Sequence, residues 1–301
     1  MRFLKIAILL LIVGVLGWYF FLRKHHHQIT FTTPLPKGLV ALQIADWERF
    51  SDADIDSIEL LQNDFEKKLM QRVYYNDSIS TYQWFLRSVD DSTTQVKVWI
   101  TDEQHSFQQK IATPFVQNAF TKTNIKNASA IAEVLKETKK AFRVTPVSET
   151  TIPGTFYSYL TLDAKVDQKA NVMVRNIYTI MSYIKEDSLK LKDDPFSEVV
   201  AWNREENTMQ FHFSFPIAKD AVPPEIPEIQ LGTRPEQKAL HLSFRGNYRI
   251  SHLSWYYLLQ YAQRHGYKHN GKPIEYYRND PHVTGGDPLS WEADIYLPLI
   301  D

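Results

Sequence analysis

The sequence predicts an α+β protein: an N-terminal transmembrane helix, then a helix-grip-like antiparallel sheet domain, then a domain built from two β-α-β-β units. Three observations carry this reading. One unbroken apolar run opens the chain, strand-like alternation is interrupted by helical periodicity, and the C-terminal half resembles itself at an offset of 82 residues. A chain of 301 residues is long enough for two domains that each bury a core.

The run from Ile6 to Leu22 contains no charge, and with Phe3 and Leu4 it reaches the length of a membrane span, roughly 20 residues. Arg2 and Lys5 precede it, and Arg23 and Lys24 follow. It ends in Trp18, Tyr19, Phe20 and Phe21, which suits an interfacial aromatic belt better than a cleavage site of small residues. An uncleaved anchor from Phe3 to Leu22 is therefore expected. The short N-terminal tail favours soluble domains on the outer, periplasmic face. His25, His26 and His27 follow in a linker with no adjacent carboxylate, so no metal site is expected there.

Charge and cysteine content exclude several functions. Lys+Arg of 34 against Asp+Glu of 35 gives a net charge of -1, without the basic footprint that nucleic-acid binding needs. The absence of cysteine excludes disulfide scaffolds, thiolate zinc sites and cysteine nucleophiles. No G-x-S-x-G, H-E-x-x-H or phosphate-loop motif occurs, and no cofactor is expected.

Residues 28–145 read as a first domain: a strand at 28–33, a helix at 39–50, strands at 69–76, 80–89 and 94–101, and a long helix at 129–142. Asp90, Asp91 and Ser92 mark a turn. The opening ITFTTPLPKGLVALQIADWERF, with Asp46 and Trp47 at its helix end and Trp84 and Trp99 in later strands, resembles the SRPBCC (START-like, polyketide-cyclase-like) family. That resemblance implies a sheet wrapped around the closing helix, with an apolar cavity between them.

After a proline-containing linker at 146–154, residues 155–301 read as two repeats, 155–220 and 236–301. The first has strands at 156–164, 196–202 and 208–217 with a helix at 170–185; the second has strands at 239–245, 274–279 and 291–299 with a helix at 251–265. The offset superposes Leu160 on Leu242, Met173 on Trp255, Ile177 on Leu259 and Pro216 on Pro298. Two such units bury their apolar faces by pairing, and a groove between them suits a ligand. Asn279, Asp280 and Pro281 read as a turn.

Gly246, Tyr248, Trp255, the segment GKPIEYYRNDP and the segment ADIYLPL resemble the GyrI-like effector-binding domain family, also found at the C terminus of AraC-type and MerR-type activators. The resemblance implies a bacterial protein that binds hydrophobic or cationic small molecules between the repeats. It also implies a pocket-floor carboxylate before the strand motif, the position held by Asp294. Tyr296, Glu292, Trp255, Tyr256, Tyr277 and His212 complete the expected site, aromatic rings suiting flat or cationic ligands. An enzyme with Asp294 as general base on a strained electrophile, and a protein with filled pockets serving a partner, are the alternative expectations.

Overall fold

The computed structural model describes residues 2–64, 68–186, 189–279 and 286–300. The helix α1 (Arg2–Gly17) runs into a wider π-type turn, Trp18–Leu22. The stretch Phe3–Phe20 is long and apolar enough to cross a membrane. The chain divides into two compact units, one comprising Met1–Thr33, Val40–Arg87 and Thr94–Leu135, the other Pro34–Leu39, Ser88–Thr93 and Lys136–Asp301.

In the first unit a five-stranded sheet has the order β1-β5-β4-β3-β2, with β1 (His27–Thr33), β2 (Ser57–Asp64), β3 (Lys68–Tyr75), β4 (Ser78–Ser88) and β5 (Thr94–Asp102). In β5 every second residue is buried, from Thr94 through Val96, Val98 and Ile100 to Asp102, because one face packs inward. Trp47 stands edge-on to Tyr82 and Trp84 at 5.1 and 6.1 Å. Gln71 is fully buried, and its two ends are both used: its amide donates to the Ile44 carbonyl at 2.9 Å, and its carbonyl accepts from Trp84 Nε1 at 2.9 Å. The helices are α2 (Lys37–Ala45), α3 (Ser106–Ala112) and α4 (Ala119–Lys140).

Three elements differ from the sequence reading. The strand β2 and the helix α3 were not expected, and α4 starts ten residues before position 129. The first turns of α4 bury Thr121, Asn124 and Asn127, so its inward stripe is polar there and leaves no apolar period to read.

In the second unit a nine-stranded sheet follows the path β11-β8-β10-β9-β13-β14-β12-β6, with β7 also on β12. Its strands are β6 (Phe142–Val144), β7 (Ser148–Ile152), β8 (Thr155–Lys165), β9 (Phe196–Asn203), β10 (Thr208–Pro216), β11 (Ile229–Arg234), β12 (Gln237–Gly246), β13 (Ile274–Tyr277) and β14 (Glu292–Pro298). Strand, helix, strand, strand occurs twice along the chain, with α5 (Lys169–Glu186) in the first set and α6 (Trp255–His265) in the second. The segment 146–154, expected as a linker, instead holds β7. Strand patterning is short there, and the partner β12 lies far along the chain. Asp280 and Pro281 lie outside the described residues.

One ribbon decides the shape of this sheet. β8 pairs with β11, with Thr155 opposite Arg234, and β7 pairs with β12, with Ile152 opposite Gln237, so the same register runs through both. On a flat sheet β11 and β12 would stand six strand spacings apart, roughly 29 Å. Only Pro235 and Glu236 separate β11 from β12, a reach of about 10 Å. The sheet therefore curls until the ribbon closes it, and its helix-free face turns inward. Ile152, Tyr157, Phe196, Ala239, Ile274 and Tyr276, from five strands, pack there as one buried cluster.

The helices cover the outer face. α6 is buried at Trp255 through Gln260 and at Ala262, and it ends on Gly266, whose φ of 76° is the left-handed conformation that glycine adopts without strain. The turn before it, Tyr248–Ser254, is 3-10 rather than α-helical, and the Asn247 side chain accepts the Arg249 backbone N–H at its start.

Candidate functional site

On α5, Ala170, Met173, Val174, Ile177 and Met181 recur at helical spacing and form one stripe. This stripe faces Phe213 and Phe215 of β10, with Tyr248, Tyr277, Arg278 and Asn279 from the second set of elements and Leu191, Asp194 and Pro195 at the rim. Together they enclose a cavity of about 410 Å³. The volume and the mainly apolar wall are those of a small-molecule site. Two methionines on the wall add adaptability, since thioether chains repack readily.

A buried charged cluster lies behind this wall. Lys169 Nζ stands 2.5 Å from Glu275 Oε2, and both side chains are inaccessible to solvent. Glu275 also accepts from Trp255 Nε1 at 2.6 Å, Ser251 Oγ at 2.7 Å and the Tyr277 hydroxyl at 3.1 Å. The ammonium of Lys169 sits over the rings of Trp255 and Tyr277 at 5.2 and 5.7 Å. Burial pushes the Lys169 ammonium below its usual range, and Glu275 partly offsets this. Burial also drives the phenol of Tyr277 well upward, with the Glu275 charge adding to it. Tyr277 is therefore a neutral hydroxyl that joins the charged cluster to the cavity wall. His252, buried alongside, is lowered to about 3 by burial and by Lys169.

The expected site residues divide between the two faces of the sheet. Tyr277 lines the cavity. Trp255 and Tyr256 are core residues of α6, the first completely buried. Asp294, expected at the pocket floor, is on the opposite face: it pairs with Tyr276, whereas Glu275 pairs with Ile295. There Asp294 accepts from His241 at 2.9 Å, Ser243 at 3.1 Å and Arg278 at 2.7 Å. Burial alone would raise its carboxyl, but the His241 and Arg278 contacts outweigh burial and hold it well below the usual carboxylate range. Tyr296 shares that face, edge-on to Tyr276 at 6.0 Å. His212 lies there too, 4.2 Å from the Tyr159 ring, and Glu292 pairs with Arg245 at the surface. Sequence reasoning missed Glu275 and Lys169. The signal for Glu275 was a carboxylate inside the run IEYY, where all four residues are buried.

The family model of the GyrI-like small-molecule-binding domain matches residues 134–300. Among solved structures, the EcmrR C-terminal domain is 18% identical over 52% of this chain and 98% of that one, with a TM-score of 0.45. SAV2435 bound to tetraphenylphosphonium is 11% identical over 52% of this chain and 94% of that one, with a TM-score of 0.37. A hydrolase from Listeria innocua is 16% identical over 55% of this chain and 98% of that one, with a TM-score of 0.36. No curated protein matches the chain.

Proposed function

Because residues 134–300 make this chain a member of the GyrI-like small-molecule-binding domain family, we propose that it is a membrane-anchored binding protein for flat, apolar compounds. The ligand lies in the cavity between α5 and the sheet. The observation that carries this reading is the cavity itself, about 410 Å³ walled by Met173, Ile177, Met181, Phe213 and Phe215. The two strand-helix-strand-strand sets are then a duplication, and the ligand sits where the first set meets Tyr248 and Tyr277 of the second. Binding is favoured over catalysis, because Glu275 is committed to Lys169 and Asp294 to Arg278 and His241. Neither carboxylate is a free base.

Thermal unfolding of the full chain against a panel of aromatic compounds tests the site. A ligand at a hundred times its Kd stabilises the folded state by about 2.7 kcal/mol. Ile177→Trp, which fills the cavity, should abolish that shift while the chain stays folded. A panel that shifts neither protein, or a shift that survives Ile177→Trp, overturns the reading. The anchor is tested by alkaline extraction of membranes, where a shortened, soluble chain would replace the anchor with a cleaved leader.

A further inference from the structure

A second cavity, of about 480 Å³, lies in the first unit at the end of the sheet, where the turn between β3 and β4, the end of β5 and the first half of α4 converge. Its chemistry is opposite to that of the apolar cavity. Asn124 lines it and is 1% exposed. The Asn124 carbonyl accepts from the Tyr82 hydroxyl at 2.6 Å, but its amide Nδ2 has no hydrogen-bond partner. A buried amide donor left unmet is costly, and a ligand acceptor in the cavity would relieve it.

The charge of the rim narrows the class of ligand. Asp52, Asp54 and Asp77 line the opening, and Lys126 stands 2.5 and 3.1 Å from the first two. Three carboxylates against one ammonium leave negative charge in excess, which disfavours an anionic ligand. Asp102, also on the wall, is already engaged by the backbone N–H groups of Gln104 and His105 and by the Gln109 amide, at 2.8 to 3.0 Å. The rings of Tyr75 and Phe120 complete the lining and give a ring or carbon skeleton an apolar surface.

We propose that this cavity binds a small hydroxylated amine, its ammonium at the Asp52, Asp54 and Asp77 rim and a hydroxyl oxygen accepting from Asn124. The site is independent of the C-terminal cavity and of the reading given to it.

Glucosamine, which carries both groups, is the probe. Putrescine, an amine without hydroxyls, and glucose, hydroxyls without charge, are the controls. Isothermal titration of the full chain in detergent should give saturable glucosamine binding at least tenfold tighter than either control. Asn124→Asp keeps an acceptor for Tyr82 and removes the donor; it should weaken glucosamine at least tenfold and leave putrescine unweakened. Asp77→Asn, at the exposed turn, should weaken both amines severalfold without disturbing the fold, which keeps the test decisive if Asn124→Asp does not fold. Absence of saturable glucosamine binding, equal binding of glucose, or indifference of both variants overturns the proposal.

Discussion

Replacing Glu275 by glutamine breaks the buried Lys169–Glu275 pair with the smallest change of shape. Both side chains are at most 1% exposed and their charges are 2.5 Å apart, so the Glu275→Gln variant leaves an ammonium in the core without its counter-charge. Removing one partner of a buried pair costs about 3 to 5 kcal/mol. For a domain of this size each kcal/mol moves Tm by about 2 to 4 °C, so a fall of about 6 to 20 °C is expected. The new amide's carbonyl can still accept from Trp255, which separates loss of charge from loss of that hydrogen bond. The informative comparison is the double variant Lys169→Met with Glu275→Gln, where no charge remains to be neutralised. It should be more stable than Glu275→Gln alone, with a coupling energy of about 2 kcal/mol or more. Differential scanning calorimetry of the full chain, with hydrogen exchange of peptides covering β13, measures both. If Glu275→Gln melts within about 1 °C of the native chain, or if the two substitutions add within about 0.5 kcal/mol, the charges are not coupled and the account of this core is wrong.

Further outcomes follow from other contacts. His26 and His252, lowered to about 4 and about 3 chiefly by burial, bind fewer protons folded than unfolded, so stability is full above about pH 6.5 and is lost as pH falls toward those values. For His252 the loss reaches about 2 kcal/mol by pH 5, so in denaturant titrations at pH 7.5 and 5 the stability lost on acidification should be about 2 kcal/mol smaller in His252→Gln than in native protein. Gly246→Ala would place a Cβ 2.8 Å from Phe142 Cβ and 2.8 Å from the Phe244 ring; this overpacking should cost about 1 to 3 kcal/mol in a urea titration. Arg278→Met removes the 2.7 Å bond to Asp294, and the Asp294 carboxyl, followed by NMR titration, should move up toward the ordinary range, with about 1 to 2 kcal/mol of stability lost.

Most strands of the second unit were readable because each has one apolar side: Met209, Phe211, Phe213 and Phe215 announce β10 without help from the rest of the chain. What period cannot state is which way a strand faces. In one dimension the motifs carrying Glu275 and Asp294 read alike, each a strand with a carboxylate among apolar and aromatic residues, and the sequence reading assigns only Asp294 to the pocket. Only the pairing of Tyr276 with Asp294 puts them on opposite sides. The buried Lys169 was equally hidden, since a lysine at a helix start reads as solvated until its carboxylate, more than a hundred positions away, is brought beside it. In the first unit the loss came from polarity: Thr121, Asn124 and Asn127 face inward, and a buried polar stripe has no hydrophobic signature.

The ribbon that closes the second sheet also sets an order in time. Its first strands, β7 and β8, leave the ribosome well before their partners, for Leu160 waits on Ile229 and Ser148 on His241. At about 5 to 20 residues per second that interval is roughly 3 to 19 s. During it, Ile152 and Tyr157 belong to an unpaired edge with no hoop to turn into, the state in which strands recruit foreign partners. A chain that stalls between residues 165 and 229 therefore leaves that edge open to foreign strands, and holding it until synthesis passes β12 is the protection it needs.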